Sequence, residues 1–236
     1  MFGPVAEDHS DVDLSRVSVV IPARNEEASI GTIIDFALPY CGELIVVDGN
    51  STDRTVEIAE AKGVRVVKDN GLGKGDAIRV GADAVEKEVV VFIDADGSHD
   101  PADIPRLVAP ILRDEADLVV GSRGRGGSDE LHGDFEKLLR VVGSDLILIG
   151  INLRYGQDLT DSQNGYRAIR TSVIRSLGLT ENITTIEQEM TMKCLKQGYR
   201  VTEVPSHEYA RLHGESSISL RKVWFRYVYS FLKNLV

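Results

Sequence analysis

Val89-Val90-Val91-Phe92-Ile93-Asp94-Ala95-Asp96 is an unbroken apolar run that ends in two carboxylates one residue apart. A run without polar alternation predicts a strand buried on both faces. The carboxyl end of such a parallel strand is where α/β folds place their ligands. Two carboxylates this close repel each other, and a hard divalent cation removes the penalty. Mg2+ or Mn2+ takes oxygen ligands and commonly joins one or two carboxylates to substrate phosphates. Gly97-Ser98-His99-Asp100-Pro101 then reads as a turn into a helix from about Pro101 to Arg113.

Outward from this strand, the same rhythm repeats. Val17–Ile21 predicts a first strand ended by Pro22, and Ile30, Ile33, Ile34 and Ala37 mark one face of the helix that follows. Leu44–Asp48 is a second buried strand, with Ser51 or Thr52 as cap of a helix running to Lys62. Val64–Val67 and Asp117–Gly121 are further strands, and Asp76–Val85 is a helix behind the basic loop Gly71-Leu72-Gly73-Lys74-Gly75. Alternating strand and helix predicts a mainly parallel sheet with helices on both faces. Past Gly121 the pattern changes. Ser122–Gly127 is expected to be irregular, followed by helices at about 135–151 and 186–196, a short strand entered from Thr160–Ile169, and a last strand at Val201–Val204.

Length and charge bound the answer. The chain has 236 residues, enough for one large domain, and its net charge of −10 argues against a general nucleic-acid binder. Two cysteines form no disulfide framework, which points to a reducing compartment. Residues 1–16 read as a polar tail without the apolar core of a signal peptide, and no stretch is apolar enough to span a bilayer. The last 18 residues carry Arg221, Lys222, Arg226 and Lys233 and no acid. There Leu220, Val223, Trp224, Tyr227, Val228, Phe231 and Leu235 form one apolar stripe. Such a helix fits a membrane surface, the protein's own sheet or a second subunit.

No G-x-G-x-x-G follows the first strand, and Gly71–Gly75 lacks the spacer and hydroxyl of a Walker A loop. What remains is a polar group at each early strand end: Arg24 and Glu26, Asp48, then Asp94 and Asp96. Pro22-Ala23-Arg24-Asn25-Glu26, Val46–Thr55, Gly73-Lys74-Gly75, Asp94-Ala95-Asp96 and Gly121-Ser122-Arg123 occur in an order and spacing that resembles family 2 inverting glycosyltransferases. Asp161–Arg167, Glu187-Gln188-Glu189-Met190 and Arg211–Ser216 extend the likeness to dolichol-phosphate mannose synthases and related polyprenyl-phosphate glycosyltransferases. The resemblance implies a GT-A nucleotide-sugar-binding domain over 17–218, with 219–236 as a basic amphipathic helix. Three departures stand out: Asp48-Gly49-Asn50-Ser51 for Asp-Asp-Gly-Ser, Ser98 where mannose synthases often have Gln, and Ser217 where they carry Lys. These leave the nucleotide, the sugar and a third metal ligand open.

By the same resemblance, Pro22, Arg24, Glu26, Asp48, Lys74, Asp94, Ala95 and Asp96 bind the nucleotide sugar. Asp94 and Asp96 hold Mg2+ or Mn2+, with Ser98 or His213 as a further candidate ligand. The implied reaction moves a hexose from GDP-mannose or a UDP-hexose to dolichyl or polyprenyl phosphate with inversion. A phosphomonoester has a second pKa of about 6 and needs positive charge rather than a base. Arginine's planar fork suits it, which assigns Arg123, Arg140 and Arg211, with Ser216, to the acceptor phosphate. Asp96, Arg123, Arg211 and Glu189 form the expected catalytic set, Glu189 orienting an arginine or the donor sugar. The expected setting is cytoplasmic, peripheral on the membrane, with an oligomer compatible. The alternatives are a soluble sugar or phosphoglycerate acceptor, and a non-enzymatic nucleotide-binding module.

Overall fold

The strand that ends in the carboxylate pair takes the centre of a seven-stranded sheet. The computed structural model describes residues 11–129, 135–211 and 220–235, with the side chains of 135–141 and 220–224 outside the description. The strands are β1 (Val17–Ala23), β2 (Glu43–Asp48), β3 (Arg65–Lys68), β4 (Val89–Phe92), β5 (Leu118–Ser122), β6 (Arg167–Arg170) and β7 (Val201–Pro205). Their order is β3-β2-β1-β4-β6-β5-β7. β1 to β4 are mutually parallel, β6 is antiparallel to β4 and β5, and β7 parallels β5. All but β6 therefore point one way, and their carboxyl ends share an edge with the start of β6. From β1 the chain builds outward through β2 and β3 on one side and through β4 on the other. That reversal opens the crevice where α/β sheets bind ligands.

The helices are α1 (Ile30–Ala37), α2 (Thr55–Ala61), α3 (Lys74–Ala84), α4 (Ile104–Leu112), α5 (Arg123–Gly126), α6 (Phe135–Tyr155), α7 (Thr171–Ser176), α8 (Ile186–Lys196) and α9 (Leu220–Leu235). Val17, Val19 and Ile21 of β1 face a layer made by α1, α2 and α4, while Val20 faces a layer made by α3, α7 and α8. Burial on both faces is why these strands show no polar alternation. Each buried Val, Leu or Ile contributes roughly 1.5–3 kcal/mol.

Three local expectations are corrected. β1 does not stop at Pro22, which pairs with Val47, but runs to Ala23. Val20 O accepts from Ile93 N, so residue 22, two positions on, points the same way, past the end of the β4 ladder at Phe92. The N–H that proline lacks has no strand partner there. Neither Ser51 nor Thr52 caps α2, which starts after Arg54 without a side-chain cap, while Asp53 Oδ1 just before it accepts from Thr55 N at 3.0 Å. The glycine-rich stretch after β5 is regular, forming the single turn α5, whose start is capped by Ser122 Oγ accepting from Arg125 N. Gly126 fits because a methyl there would stand 2.3 Å from Ser206 O.

The stripe on α9 packs partly on the protein itself. Tyr227, Phe231 and Leu235 lie against Ile147, Ile151, Leu159 and Met192 of α6, the loop after it and α8. Phe231 sits so close to α6 that a methyl on Gly150 would be 2.5 Å from its ring. Tyr227 Oη also donates to Thr184 Oγ1 at 2.8 Å. Leu220, Val223 and Trp224 belong to the part of α9 whose side chains are outside the description.

Candidate active site

Every polar strand end read from the sequence arrives at one edge. Ala23 is level with Asp48 in the β1–β2 register, and β4 delivers Asp94 and Asp96 beside them. The loop after β1 is knitted to the loop after β2. Asn25, with φ of 57°, donates from its N to Ser51 Oγ at 3.0 Å, and its Oδ1 accepts from Thr52 N at 2.8 Å. Ser51 and Thr52 thus tie the loops after β1 and β2 together. Asp48 is buried, its Oδ1 accepting from Ser51 N at 3.0 Å. Burial pushes the Glu26 carboxyl above its usual range despite a hydrogen bond from Ser29, with Asp96 adding to the rise. Arg24 is exposed beside this loop, and Pro22 is half-buried at its base.

Lys74 opens α3 and points at the carboxylate pair. Its Nζ is 2.7 Å from Asp94 Oδ1 and 2.9 Å from Oδ2, and 3.1 Å from Glu187 Oε1. The glycines around it are required by closeness: methyls at Gly73 and Gly75 would stand 2.6 Å from Asn182 O and 2.3 Å from Glu181 O. Burial would lower the Lys74 ammonium, but Asp94 and Glu187 outweigh it and hold it charged. Burial would likewise raise Asp94, and Lys74, then His99, pull it below the usual carboxylate range. Ala95 turns into the core, so it brings only backbone to the site. Asp96 Oδ1 accepts from Ser98 N at 3.0 Å and from Ser98 Oγ at 2.7 Å, while Oδ2 lies 3.3 Å from Arg211 Nη1. His99 is buried, stacked on Tyr166 with ring centroids 5.0 Å apart.

Arg123 is held across the crevice. Its Nε is 2.6 Å from Asp161 Oδ2 and its Nη2 3.1 Å from Oδ1, with Glu208 Oε1 3.4 Å from Nη1. Asp161 in turn accepts from Gln163 N and Asn164 N at 3.0 and 3.1 Å. Arg167 is a strut rather than a site group: fully buried, it donates to Asn164 O at 2.9 Å and to Glu187 O at 2.8 Å.

Glu189 is a correction. Its carboxylate accepts from Thr180 N and Glu181 N and pairs with Lys193 at 2.8 Å, so it anchors the 180–181 loop instead of an arginine or a sugar. Glu187, two residues earlier and on the other side of α8, is the one that reaches Lys74. Neither Glu187 oxygen makes a hydrogen bond of good geometry among the described residues. Sequence reasoning missed it because residues 186–192 are all buried, so α8 carries no polar face from which to read its phase. The side chain of Arg140, although on α6, and all of His213 and Ser216 lie outside the described residues.

The donor set fits a hard divalent cation: two carboxylates at one strand end, each with oxygens facing basic groups. Among the described residues no third His, Cys, Asp or Glu joins them. Two protein carboxylates, completed by phosphate and water, is a common arrangement for Mg2+.

This edge has a match among known proteins. The glycosyl transferase family 2 model covers residues 18–178. The chain belongs to that family. Glycosyltransferase AglJ of Haloferax volcanii is 34% identical over 203 residues, which is 85% of this chain and 65% of that protein. A dolichol-phosphate mannosyltransferase of Pyrococcus furiosus is 32% identical over 235 residues, 92% of this chain and 64% of that one. The chain therefore spans slightly under two thirds of either relative. The crystal structure of glucosyl-3-phosphoglycerate synthase from Mycobacterium tuberculosis in complex with Mn2+, UDP and glucosyl-3-phosphoglycerate matches with a TM-score of 0.77 at 24% identity. The match covers 100% of this chain and 86% of that one, and the shared fold is the GT-A-like α/β architecture expected from the sequence.

Proposed function

We propose that this family 2 glycosyltransferase moves a hexose from a nucleotide sugar to a polyprenyl phosphate, working at a membrane surface. The observation that carries the acceptor is an exposed apolar face next to the site. On α6, Val142, Leu146, Ile149 and Leu153 are exposed, and on α9, Phe225, Tyr229 and Leu232. Each set follows helical spacing, and the two helices touch at Gly150 and Phe231. Tyr227, on the inner side of α9, lies within the fields of Glu187, Lys74 and Arg123. An acceptor with a phosphate head and an apolar tail matches guanidinium groups beside such a face. No helix among the described residues is long and apolar enough to cross a membrane, so contact would be with the surface. The dolichol-phosphate mannosyltransferase among the relatives supports the same reading.

In this mechanism Asp48, Glu26, Arg24 and Pro22 receive the nucleoside. Asp94 and Asp96 would hold a divalent cation, which would supply charge neutralisation for the leaving diphosphate. Lys74 adds a fixed positive charge on the same side. Glu187, buried with an oxygen left over, accepts hydrogen bonds from donor sugar hydroxyls. Arg123 and Arg211, with Arg140 and Ser216, hold the acceptor phosphate. Its oxygen attacks the anomeric carbon opposite the diphosphate, the old C–O electron pair leaves with the diphosphate, and the configuration inverts. The dianionic acceptor gives up no proton.

The test is a panel of GDP- and UDP-sugars with Mn2+ and either a short polyprenyl phosphate or 3-phosphoglycerate. Transfer to the lipid phosphate is expected. Efficient transfer to phosphoglycerate with none to lipid would replace this reading with the soluble-acceptor one.

A further inference from the structure

α3 begins without a side-chain cap. Gly73, with φ of 117°, opens its first turn, and the amide of Gly75 donates to Asn182 O at 2.9 Å. A loop distant in sequence therefore supplies a carbonyl that the helix start needs. That loop lies between α7 and α8, and Glu189 fixes it from below by accepting from Thr180 N at 3.0 Å and Glu181 N at 2.8 Å.

Gly75 and Arg79 are four residues apart and share a face of α3. At Gly75 the loop comes so close that a methyl would stand 2.3 Å from Glu181 O. Arg79, one turn on, reaches over the loop: Nη1 donates to Glu181 O and Nη2 to Asn182 Oδ1. The same Nη2 is 3.2 Å from Asp76 Oδ1, and Asp76 accepts from Asn70 N at 2.7 Å and Asn70 Nδ2 at 3.1 Å. One guanidinium thus joins the loop before α3 to the loop before α8. A planar fork can serve these three acceptors at once, which an ammonium on a single stem does not. Lys74 stands between the two joined loops, with Nζ 2.7 Å from Asp94 and 3.1 Å from Glu187. Its stem is flexible, so its aim depends on where the backbone of 73–75 is set.

We propose that Arg79 is a positioning residue for the donor diphosphate: by clamping the 181–182 loop to the first turn of α3, it sets the backbone from which Lys74 presents its charge. This rests on the reading of Lys74 as a donor-side charge. It adds that Arg79 acts on the diphosphate through Lys74, and leaves the nucleoside alone.

The experiment is calorimetric binding of UDP and GDP to the full chain in Mg2+ buffer. The diphosphate that binds wild type more tightly is then used throughout, and its nucleoside is measured by competition. Wild type, Arg79→Gln, Arg79→Lys, Asn182→Ala, Lys74→Gln and the Arg79→Gln/Lys74→Gln double variant are compared, with thermal melting on each. Arg79→Gln is expected to weaken the diphosphate about fivefold and the nucleoside less than about twofold, the scale of one partly exposed charge moved out of place. Arg79→Lys is expected to follow Arg79→Gln, because it keeps the charge and loses the fork. In the Lys74→Gln background the further loss on removing Arg79 is expected to fall below about twofold. If Arg79→Gln melts far below wild type, Asn182→Ala, which removes one acceptor on an exposed side chain, decides by the same ratio of diphosphate to nucleoside. Equal losses for diphosphate and nucleoside would make Arg79 a structural staple and overturn the proposal. Wild-type binding by Arg79→Lys would mean that charge, not position, matters, and a loss that is fully additive with Lys74→Gln would remove the route through Lys74. Lys74→Gln that binds the diphosphate as wild type does overturns the donor-side reading of Lys74 instead, which separates the two failures.

Discussion

A methyl group built on Gly165 would stand 2.7 Å from Lys74 Nζ and 3.1 Å from Asp94 Oδ2. The loop into β6 therefore closes over the Lys74–Asp94 pair only because residue 165 has no side chain. The atom that would have to yield is the end of a lysine already paired with Asp94 and the buried Glu187, so Gly165→Ala is expected to cost about 1–3 kcal/mol. It should also push Lys74 off Asp94 and lower donor turnover by about tenfold, the scale of losing one well-placed electrostatic group. Steady-state kinetics with a melting curve on the same sample checks this. A variant as active as wild type would remove Lys74 from the donor site.

Removing the metal pair makes a sharper test. Asp96→Asn keeps the shape and the Ser98 contacts while losing the charge, and should cut glycosyl transfer by about 100-fold or more. Its melting temperature should stay near wild type, because Asp96 helps no core packing beyond its own turn. In wild type, EDTA should abolish transfer and added Mn2+ restore it. Transfer that continues in excess EDTA would refute the metal assignment.

Arg123 and Asp161 carry a geometric requirement that charge alone does not meet. Two guanidinium nitrogens reach two carboxylate oxygens, at 2.6 and 3.1 Å, and lysine has no fork with which to replace them. Arg123→Lys is expected to raise the KM for acceptor by about tenfold, a loss of about 1.4 kcal/mol, with donor KM little changed. Equal shifts in both constants would place Arg123 outside the acceptor site.

Much of this edge was legible because the early strands are buried on both faces and end in polar residues. Asp48, Asp94 and Asp96 stand where the apolar runs stop, so a parallel sheet put them together without further information. The same logic failed beyond β5. β6 is Arg167-Ala168-Ile169-Arg170, too short for periodicity to give its direction, and nothing local announced that it would run antiparallel between β4 and β5. Arg167 closes the polar loop at the start of β6, and it folds inward because the carbonyls of Asn164 and Glu187 satisfy it there. Glu187 and Glu189 were indistinguishable in a helix buried on every side. For Asn50 the turn chemistry is visible only in the backbone: its φ of 62° is a left-handed conformation that asparagine tolerates better than most residues.

Acid stability should report a pairing far from the site. Asp117 accepts from Arg200 N and Nε at 2.9 and 3.1 Å and from Arg170 Nε at 3.3 Å. The Arg200 side-chain hydrogen bonds hold its carboxyl below the usual range, burial opposing them. A depressed folded pKa contributes stability above the unfolded value of about 3.9 and loses it as pH falls through the folded value. Asp117→Asn should therefore destabilise by about 1 kcal/mol at pH 7, since Arg200 is half exposed and screened. The gap between variant and wild type should begin to narrow below about pH 3.9 and close as pH falls through the lower folded value. Urea melts at pH 7 and pH 3 measure it, and a gap that is constant with pH would mean that packing, not charge, is at stake.

The membrane prediction has to separate the two sides of α9. Its inner side, Tyr227, Phe231 and Leu235, covers Ile147, Ile151 and Met192, and Lys233 Nζ donates to Thr180 Oγ1 at 3.0 Å. Cutting the chain before residue 220 would expose that cluster, and aggregation would then mimic or mask any loss of lipid binding. Phe231→Ala alone is expected to cost about 3 kcal/mol. The outer side can be changed without that penalty: Leu146 is 65% exposed, Phe225 66% and Leu153 82%. Replacing Leu146 and Phe225 together by glutamate removes apolar area and adds negative charge on a face that also carries exposed Arg226. The double variant should melt near wild type and keep its activity on a short, water-soluble acceptor phosphate. It should no longer float with anionic vesicles, and its turnover of a long-chain polyprenyl phosphate in those vesicles should fall about tenfold or more, since each glutamate costs affinity at a lipid surface through lost burial and through repulsion. If wild type and double variant float equally, the α6–α9 face is not what meets the membrane, and the acceptor must reach Arg123 and Arg211 from the water side.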